Sequence, residues 1–153
     1  MNDFGILIAG TGPTAVQLAV MMKNHLRCAV GIAGRESHRS ETFFSALAQA
    51  GGALRVDVQN STHRKLAGEC EVDEVFLRYE NVTGEWRTLV LTVTADAYVA
   101  VLDRLDRRVL QQLGCVILVS PTFGSNSLVR NYLRRQGANA EVVSFSSYLG
   151  DTR

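Results

Sequence analysis

Gly5-Ile6-Leu7-Ile8-Ala9-Gly10-Thr11-Gly12-Pro13-Thr14-Ala15 is the stretch that decides the fold of this chain. Gly5 to Ala9 is an unbroken apolar run, as expected for a central strand buried on both faces. The next six residues read G-x-G-x-x-A and open a helical pattern. Gly10 permits the tight turn, Gly12 lets a pyrophosphate approach the backbone with no Cβ in the way, and Ala15 keeps the helix close to the strand. Thr11 and Thr14 fill the variable positions, and Pro13 suits a first helical turn, where its missing N–H costs nothing. Helix N-terminal amides and the helix dipole then face the phosphates.

Outward from this loop, short apolar runs alternate with amphipathic stretches. Thr14 to about Leu26 carries Val16, Ala19, Val20 and Met22 near helical period, and Ala29 to Ala33 is a second apolar run. Glu41 to Ala50 predicts a helix ended by Gly51-Gly52, and Leu54 to Val58 alternates like a strand. Residues 59–74 support only a weak helix or turn. Glu74–Tyr79 and Thr88–Thr94 read as strands, with Val82-Thr83-Gly84-Glu85 between them as a candidate hairpin turn. Ala97–Leu113 predicts a helix with a break near Asp106. Val116–Val119, Ser127–Arg135 and Val142–Phe145 then predict strand, helix and strand. Such alternation implies right-handed crossovers: an α/β class, a doubly wound, mostly parallel sheet of Rossmann-like form occupying residues 1–153 as one nucleotide-binding domain.

The end of the second strand distinguishes the nucleotides. NAD-specific versions of this fold place an acid there for the ribose 2′-hydroxyl. This chain has Ala33-Gly34-Arg35-Glu36-Ser37-His38-Arg39-Ser40. Arg35 and Arg39 attract a 2′-phosphate that an acid would repel, which favours NADP(H) as cofactor. Arg35 is also placed to stack on adenine, and Ser37 and Ser40 are candidate hydroxyl donors. Against this stands Glu36, which becomes a ribose-binding acid if the strand ends one residue later.

Two further segments leave strands at the ligand-binding edge: Thr92 to Tyr98, with Thr94, Ala95 and Asp96, and Ser120 to Asn126, with Ser120, Pro121 and Thr122. Their small and hydroxylated residues let a nicotinamide lie close to the backbone. Asp96 has a second reading as N-cap of a helix over Ala97–Leu105, and Ser125 or Asn126 as cap of the helix that follows. His25, His38 and His63 are scattered without metal-ligand spacing, so no metal site is expected. Asp103 to Arg108 reads as a solvated helix face with local ion pairs, and Trp86, beside a strand, as packing.

Composition fits a globular domain: 46% of the 153 residues are hydrophobic, 20% are charged, and the formal net charge is +1. That charge gives no footprint for nucleic acid or a membrane surface, and neither is expected as a partner. Met1-Asn2-Asp3-Phe4 lacks the basic region of a signal peptide, and Ile6–Ala9 is too short to cross a bilayer. Cys28, Cys70 and Cys115 make no CxxC pair; Cys28 and Cys115 open apolar runs and read as buried free thiols. A cytoplasmic location follows as the expectation.

Gly10–Ala15, Gly34-Arg35, Thr94-Ala95-Asp96-Ala97, Ser120 to Ser125 and Ser146-Ser147-Tyr148-Leu149-Gly150-Asp151-Thr152 together resemble the opine dehydrogenases of bacterial metallophore biosynthesis, the family of the staphylopine, pseudopaline and yersinopine synthases. The resemblance covers essentially the whole chain but only the family's N-terminal domain. It implies NADPH-dependent reductive condensation of a histidine-derived, aminobutyrate-bearing amine with an α-keto acid such as pyruvate or α-ketoglutarate. By that resemblance Gly10–Ala15 hold the pyrophosphate and Arg35 with Arg39 the 2′-phosphate. Asp151 lies near an interdomain cleft, either orienting substrate or supporting proton transfer, or else serving as a cap or linker.

The family's substrate domain, with its acid–base histidine, is expected to be absent from this chain. Hydride transfer needs a substrate clamped against the nicotinamide, which one nucleotide-binding layer cannot provide, so binding without appreciable turnover is expected. A stand-alone NADP(H)-binding regulatory module is the alternative. A methyltransferase is a third reading, opposed by Gly34-Arg35 where that fold wants an acid. The edge that would meet a second domain leaves homodimer formation open as a way to cover it.

Overall fold

The computed structural model describes residues 4–145. Six strands, β1 (Gly5–Ala9), β2 (Ala29–Ala33), β5 (Glu74–Phe76), β6 (Thr88–Leu91), β7 (Cys115–Leu118) and β8 (Glu141–Ser144), form one parallel sheet in the order β5-β2-β1-β6-β7-β8. The chain thus winds outward from β1 through β2 to β5, returns to β6 on the other side of β1, and winds outward again. The reversal between β1 and β6 opens a crevice beyond their carboxyl ends, where open sheets of this kind bind ligands.

The apolar runs are continuous because both faces are covered. Along β1, Ile6 and Ile8 join one core with Leu18 and Ala19 of α1 (Pro13–Leu26) and Phe44 and Leu47 of α2 (His38–Gln49). Leu7 and Ala9 face the other, with Tyr98 and Leu102 of α3 (Tyr98–Arg104), Val109 and Leu110 of α4 (Arg107–Gln112) and Leu133 of α5 (Ser125–Arg135). The break expected near Asp106 is present: Asp106 caps α4 by accepting a hydrogen bond from the Arg108 amide at 2.7 Å. Among the described residues no helix is long and apolar enough to cross a membrane.

The second core is built around Trp86. Its ring lies against two glycines of neighbouring strands; a Cβ on Gly31 would stand 2.6 Å from Cη2, and one on Gly5 3.0 Å from Cε3. The indole N–H donates to the Thr83 carbonyl at 2.8 Å, and Phe76 meets the ring edge-on. Trp86 is therefore packing, as the sequence suggests.

Four expectations need correction. The hairpin across Val82–Glu85 does not form: β5 pairs with β2 and β6 with β1, so the two strands stand on opposite flanks. Continuous parallel pairing at β1 outcompetes the local turn signal. The polar stretch after β3 (Ala53–Val56) contains two short 3-10 turns kinked at His63, Ser61–Leu66, and a further strand, β4 (Gly68–Glu71), antiparallel to β3 in a separate ribbon. Gly-Glu-Cys-Glu hid that strand because only Cys70 points inward with any apolar content. Among the described residues Asp103–Arg108 forms no ion pair within itself: Arg104 pairs with Glu80, Asp103 accepts from the Tyr132 hydroxyl, and Arg107 donates to the Gln136 carbonyl. Of the cysteines, Cys28 is buried as expected, but Cys115, also expected to be buried, is half-buried like Cys70; all are free.

Asp73 fastens the start of β2 to the entry of β5. Its carboxylate accepts hydrogen bonds from Lys23 Nζ at 2.5 Å and the Val30 amide at 2.7 Å, and its own amide donates to the Val30 carbonyl at 3.0 Å. Partial burial alone would raise this carboxyl, but the Lys23 and Val30 contacts outweigh it and hold the group below its ordinary value. A depressed carboxyl stabilises the fold at neutral pH and loses that contribution as pH falls through the carboxylate range. Asp73→Asn should therefore flatten the acid limb of stability, read as urea midpoints against pH; an unchanged acid limb would contradict this role. Gly31→Ala should cost about 1–3 kcal/mol through overpacking against Trp86, measured by denaturant unfolding.

Candidate functional site

The crevice at the β1–β6 reversal is a cavity of about 600 Å³, within the ordinary range for ligand sites. Its floor is the glycine loop. The Gly10 amide donates to the Ala33 carbonyl at 2.9 Å, and the Thr92 hydroxyl donates to the Ala9 carbonyl at 2.8 Å. Gly10 has φ +134°, and a Cβ there would collide with the Thr92 hydroxyl, so only glycine makes this turn. Gly12 is the N-cap of α1, and no side chain caps that helix. The positive end of the helix dipole is thus presented to the cavity. Ala15 is wholly buried beneath the loop, as close helix–strand packing requires.

A file of hydroxyls joins this loop to the second helix. Ser37 caps α2, accepting from the Ser40 amide at 3.2 Å; its hydroxyl donates to Ser40 Oγ at 3.1 Å, and Ser40 Oγ lies 3.2 Å from Thr11 Oγ1. Gly34 completes the contact: a Cβ there would press on Phe44 and Thr11. Arg39 extends over the loop, its Nη2 being 3.7 Å from where a Gly12 Cβ would stand.

Of the residues singled out from sequence, Gly10, Thr11, Gly12, Pro13, Thr14, Arg35, Ser37, Arg39, Thr94 and Asp96 share the wall of this cavity, with Ser40 beside them. Ala15, Ala95, Ser120, Pro121 and Thr122 do not line it. Ala95 lies in a 3-10 turn, Ala95–Ala97, ahead of α3, and Ser120–Thr122 follow β7 farther along the same sheet edge. Asp96 makes no cap, since neither that turn nor α3 has a side-chain cap hydrogen bond; it faces the cavity instead. Ser125 and Asn126 likewise do not cap α5: Ser125 Oγ accepts from the Thr122 amide at 2.9 Å, and Asn126 donates to the Val142 carbonyl at 2.8 Å. Asp151 and the Ser146–Thr152 motif lie outside the described residues.

Glu36 points elsewhere. It is paired with Arg78 at 2.6 Å, on an exposed flank, and is not in the cavity wall. Sequence reasoning missed Tyr79, Ala100, Val101 and Arg104, which line the cavity together with Ala97 of the Thr94–Ala97 motif. Ala97, Ala100, Val101 and Arg104 follow helical spacing after a strand end, a signal that was available. Tyr79 sits just past β5, which the hairpin expectation paired with β6 rather than with β2 beside the site. Burial pushes the Tyr79 phenol above its ordinary value, and the positive charges of Arg35 and Arg104 pull it partly back.

The cavity therefore offers a backbone cradle free of Cβ atoms, a helix N-terminus, and three arginines against one carboxylate, Asp96. That donor set fits an elongated, multiply phosphorylated nucleotide. Comparison with known proteins agrees. The profile of the staphylopine dehydrogenase family matches residues 5–153. The chain is 38% identical over 150 residues to staphylopine synthase of Staphylococcus aureus, covering 97% of this chain and 34% of that protein. Yersinopine dehydrogenase in an NADP+-bound structure superposes with a TM-score of 0.88 at 33% identity, over 97% of this chain and 36% of that one. Octopine dehydrogenase, solved with NADH and L-arginine, shares the fold with a TM-score of 0.66 at 16% identity, over 95% of this chain and 35% of that one. The chain spans about a third of the length of the curated relatives it matches.

Gly10→Ala should cost roughly 1–3 kcal/mol from the unfavourable φ alone, with the Thr92 collision added. Because Thr92→Ala relieves the collision but also loses the Ala9 hydrogen bond, the double variant compared with Thr92→Ala alone should show only the φ cost, and the remainder of the Gly10→Ala loss is steric, read from denaturant midpoints.

Proposed function

The chain belongs to the staphylopine dehydrogenase family, and we propose on that footing that it is the NADP(H)-binding domain of an opine-type dehydrogenase. The full-length protein would condense an amino-acid-derived amine, a metallophore intermediate, with an α-keto acid such as pyruvate, and reduce the resulting imine. The observation that carries this reading is the end of β2: Arg35 and Arg39 face the cavity while Glu36, the one acid able to hold a ribose 2′-hydroxyl there, is occupied by Arg78. The NADP+ in the yersinopine dehydrogenase structure supports the same choice.

In this reading Gly10, Thr11, Gly12 and the first turn of α1 bind the pyrophosphate, and Arg35 with Arg39 supplies the charge a 2′-phosphate requires. Thr94 and Asp96 flank the nicotinamide half, and Ser120–Thr122 continue that wall along the sheet edge. When bound, NADPH supplies the hydride that reduces the imine carbon. The residues of this chain bind and orient; clamping of the amine and keto acid is assigned to the portion of the relatives that this chain does not span.

Titration of NADPH and NADH against the chain tests the reading. NADPH should bind more tightly, and Arg35→Ala/Arg39→Ala should erase the preference with a loss of roughly tenfold or more, the scale of a charge-assisted hydrogen bond. Equal binding of both nucleotides, unchanged in the variant, would overturn it.

A further inference from the structure

We propose that Arg104 is a specificity residue for the phosphorylated adenosine of the nucleotide, held by Glu80 until the 2′-phosphate draws it away. The inference rests on the NADP(H) reading above and assigns to that site a residue from the opposite wall.

Four arginines stand at this edge of the sheet, and their partners separate them. Arg78 is engaged with Glu36 at 2.6 Å and is absent from the cavity wall. Arg39 lies over Gly12, toward the glycine loop. Arg35 comes from the end of β2. Arg104 comes from the last turn of α3, on the same helical face as Ala97, Ala100 and Val101, and lines the cavity. Its Nη1 is 3.6 Å from Glu80 Oε1, beyond hydrogen-bond length, and both side chains are about half exposed, at 53% and 51%. A pair of that length and exposure is weak and readily exchanged.

Tyr79 links the two walls. It is buried in the cavity wall next to Glu80 in sequence, just past β5, whose end lies beside that of β2: the Gly34 amide donates to the Phe76 carbonyl at 3.1 Å. Arg104, held to Glu80 just past β5, and Arg35, just past β2, therefore line the cavity at neighbouring strand ends, where the fold places the adenosine ribose. A phosphate dianion offers a guanidinium two charge-assisted hydrogen bonds, whereas Glu80 offers a single long contact. Exchange of Arg104 from Glu80 to the phosphate is thus favoured only when the ligand carries a 2′-phosphate. NADH gives Arg104 nothing to move to.

The test is a set of titrations of the chain with NADPH, NADH and 2′,5′-ADP, on wild type, Arg104→Met, Glu80→Gln and the double variant. Arg104→Met should weaken NADPH and 2′,5′-ADP by about tenfold and leave NADH nearly unchanged. Glu80→Gln should tighten NADPH, and the double variant should lose that gain. If Arg104→Met weakens NADPH and NADH equally, the residue packs on the nucleotide without reading its phosphate, and the proposal falls. An unchanged NADPH affinity in Arg104→Met, alongside a loss in Arg35→Ala/Arg39→Ala, removes Arg104 from the site while leaving the NADP(H) reading intact. A Glu80→Gln variant that binds NADPH no more tightly overturns the holding role of Glu80. Should wild type bind none of the three ligands, both readings fall together.

Discussion

The turn at Gly10 is the constraint on which the rest of this structure depends. It must leave β1, clear the side chain of Thr92 just past β6 and enter α1 within a few residues. It does so with φ at +134° and with the Thr92 hydroxyl bonded to the Ala9 carbonyl beneath it. Because β1 is flanked by β2 on one side and β6 on the other, this turn stands where the winding of the sheet reverses. Backbone geometry, strand order and the open crevice are consequences of one another here. The glycine is required by the neighbouring strand before any ligand is considered.

Around that turn the site is assembled from strand ends and helix starts, so its precision comes from the sheet. The hydroxyls of Thr11, Ser37 and Ser40 bind one another and thereby fix the start of α2 against the glycine loop. The positive charge is contributed by side chains with few competing anions: Arg35 and Arg39 have no carboxylate partner among the described residues, and Arg104 has only a long one. Glu36 is neutralised as a competitor by Arg78 on the outer flank. Selectivity between nucleotides thus depends as much on where the acids are held as on where the arginines reach.

Much of this was legible in the sequence, for identifiable reasons. The doubly wound sheet could be read because its strands are buried on both faces and therefore appear as unbroken apolar runs. The glycine loop could be read because each small residue in it answers a steric demand. The β3–β4 ribbon was not legible, since Gly68–Glu71 gains its stability from pairing with β3 and leaning on α1 rather than from its own pattern. The hairpin expected at Val82–Glu85 failed because a turn signal is local while the choice of strand partner is not. Tyr79 escaped notice because the strand before it reads as one arm of a hairpin rather than as a neighbour of β2, and Arg104 because its charged stretch reads as a solvated helix face. Asp96 carried two readings, and the 3-10 turn ahead of α3 removed the one in which it was a cap.

The ribbon has a further meaning for how this fold accommodates change. Strands β2 and β5 are immediate neighbours, so the long path from Gly34 to Asp73 begins and ends at fixed points of the sheet. The ribbon pairs only with itself and rests on the outside of α1, away from the cavity wall. Its tip, near Ser61–Leu66, belongs neither to the six-stranded sheet nor to the lining of the nucleotide crevice, so insertions there leave the contacts of both intact. That tip is the place where the molecule can gain a peptide tag, a loop graft or a lineage-specific extension without disturbing the site.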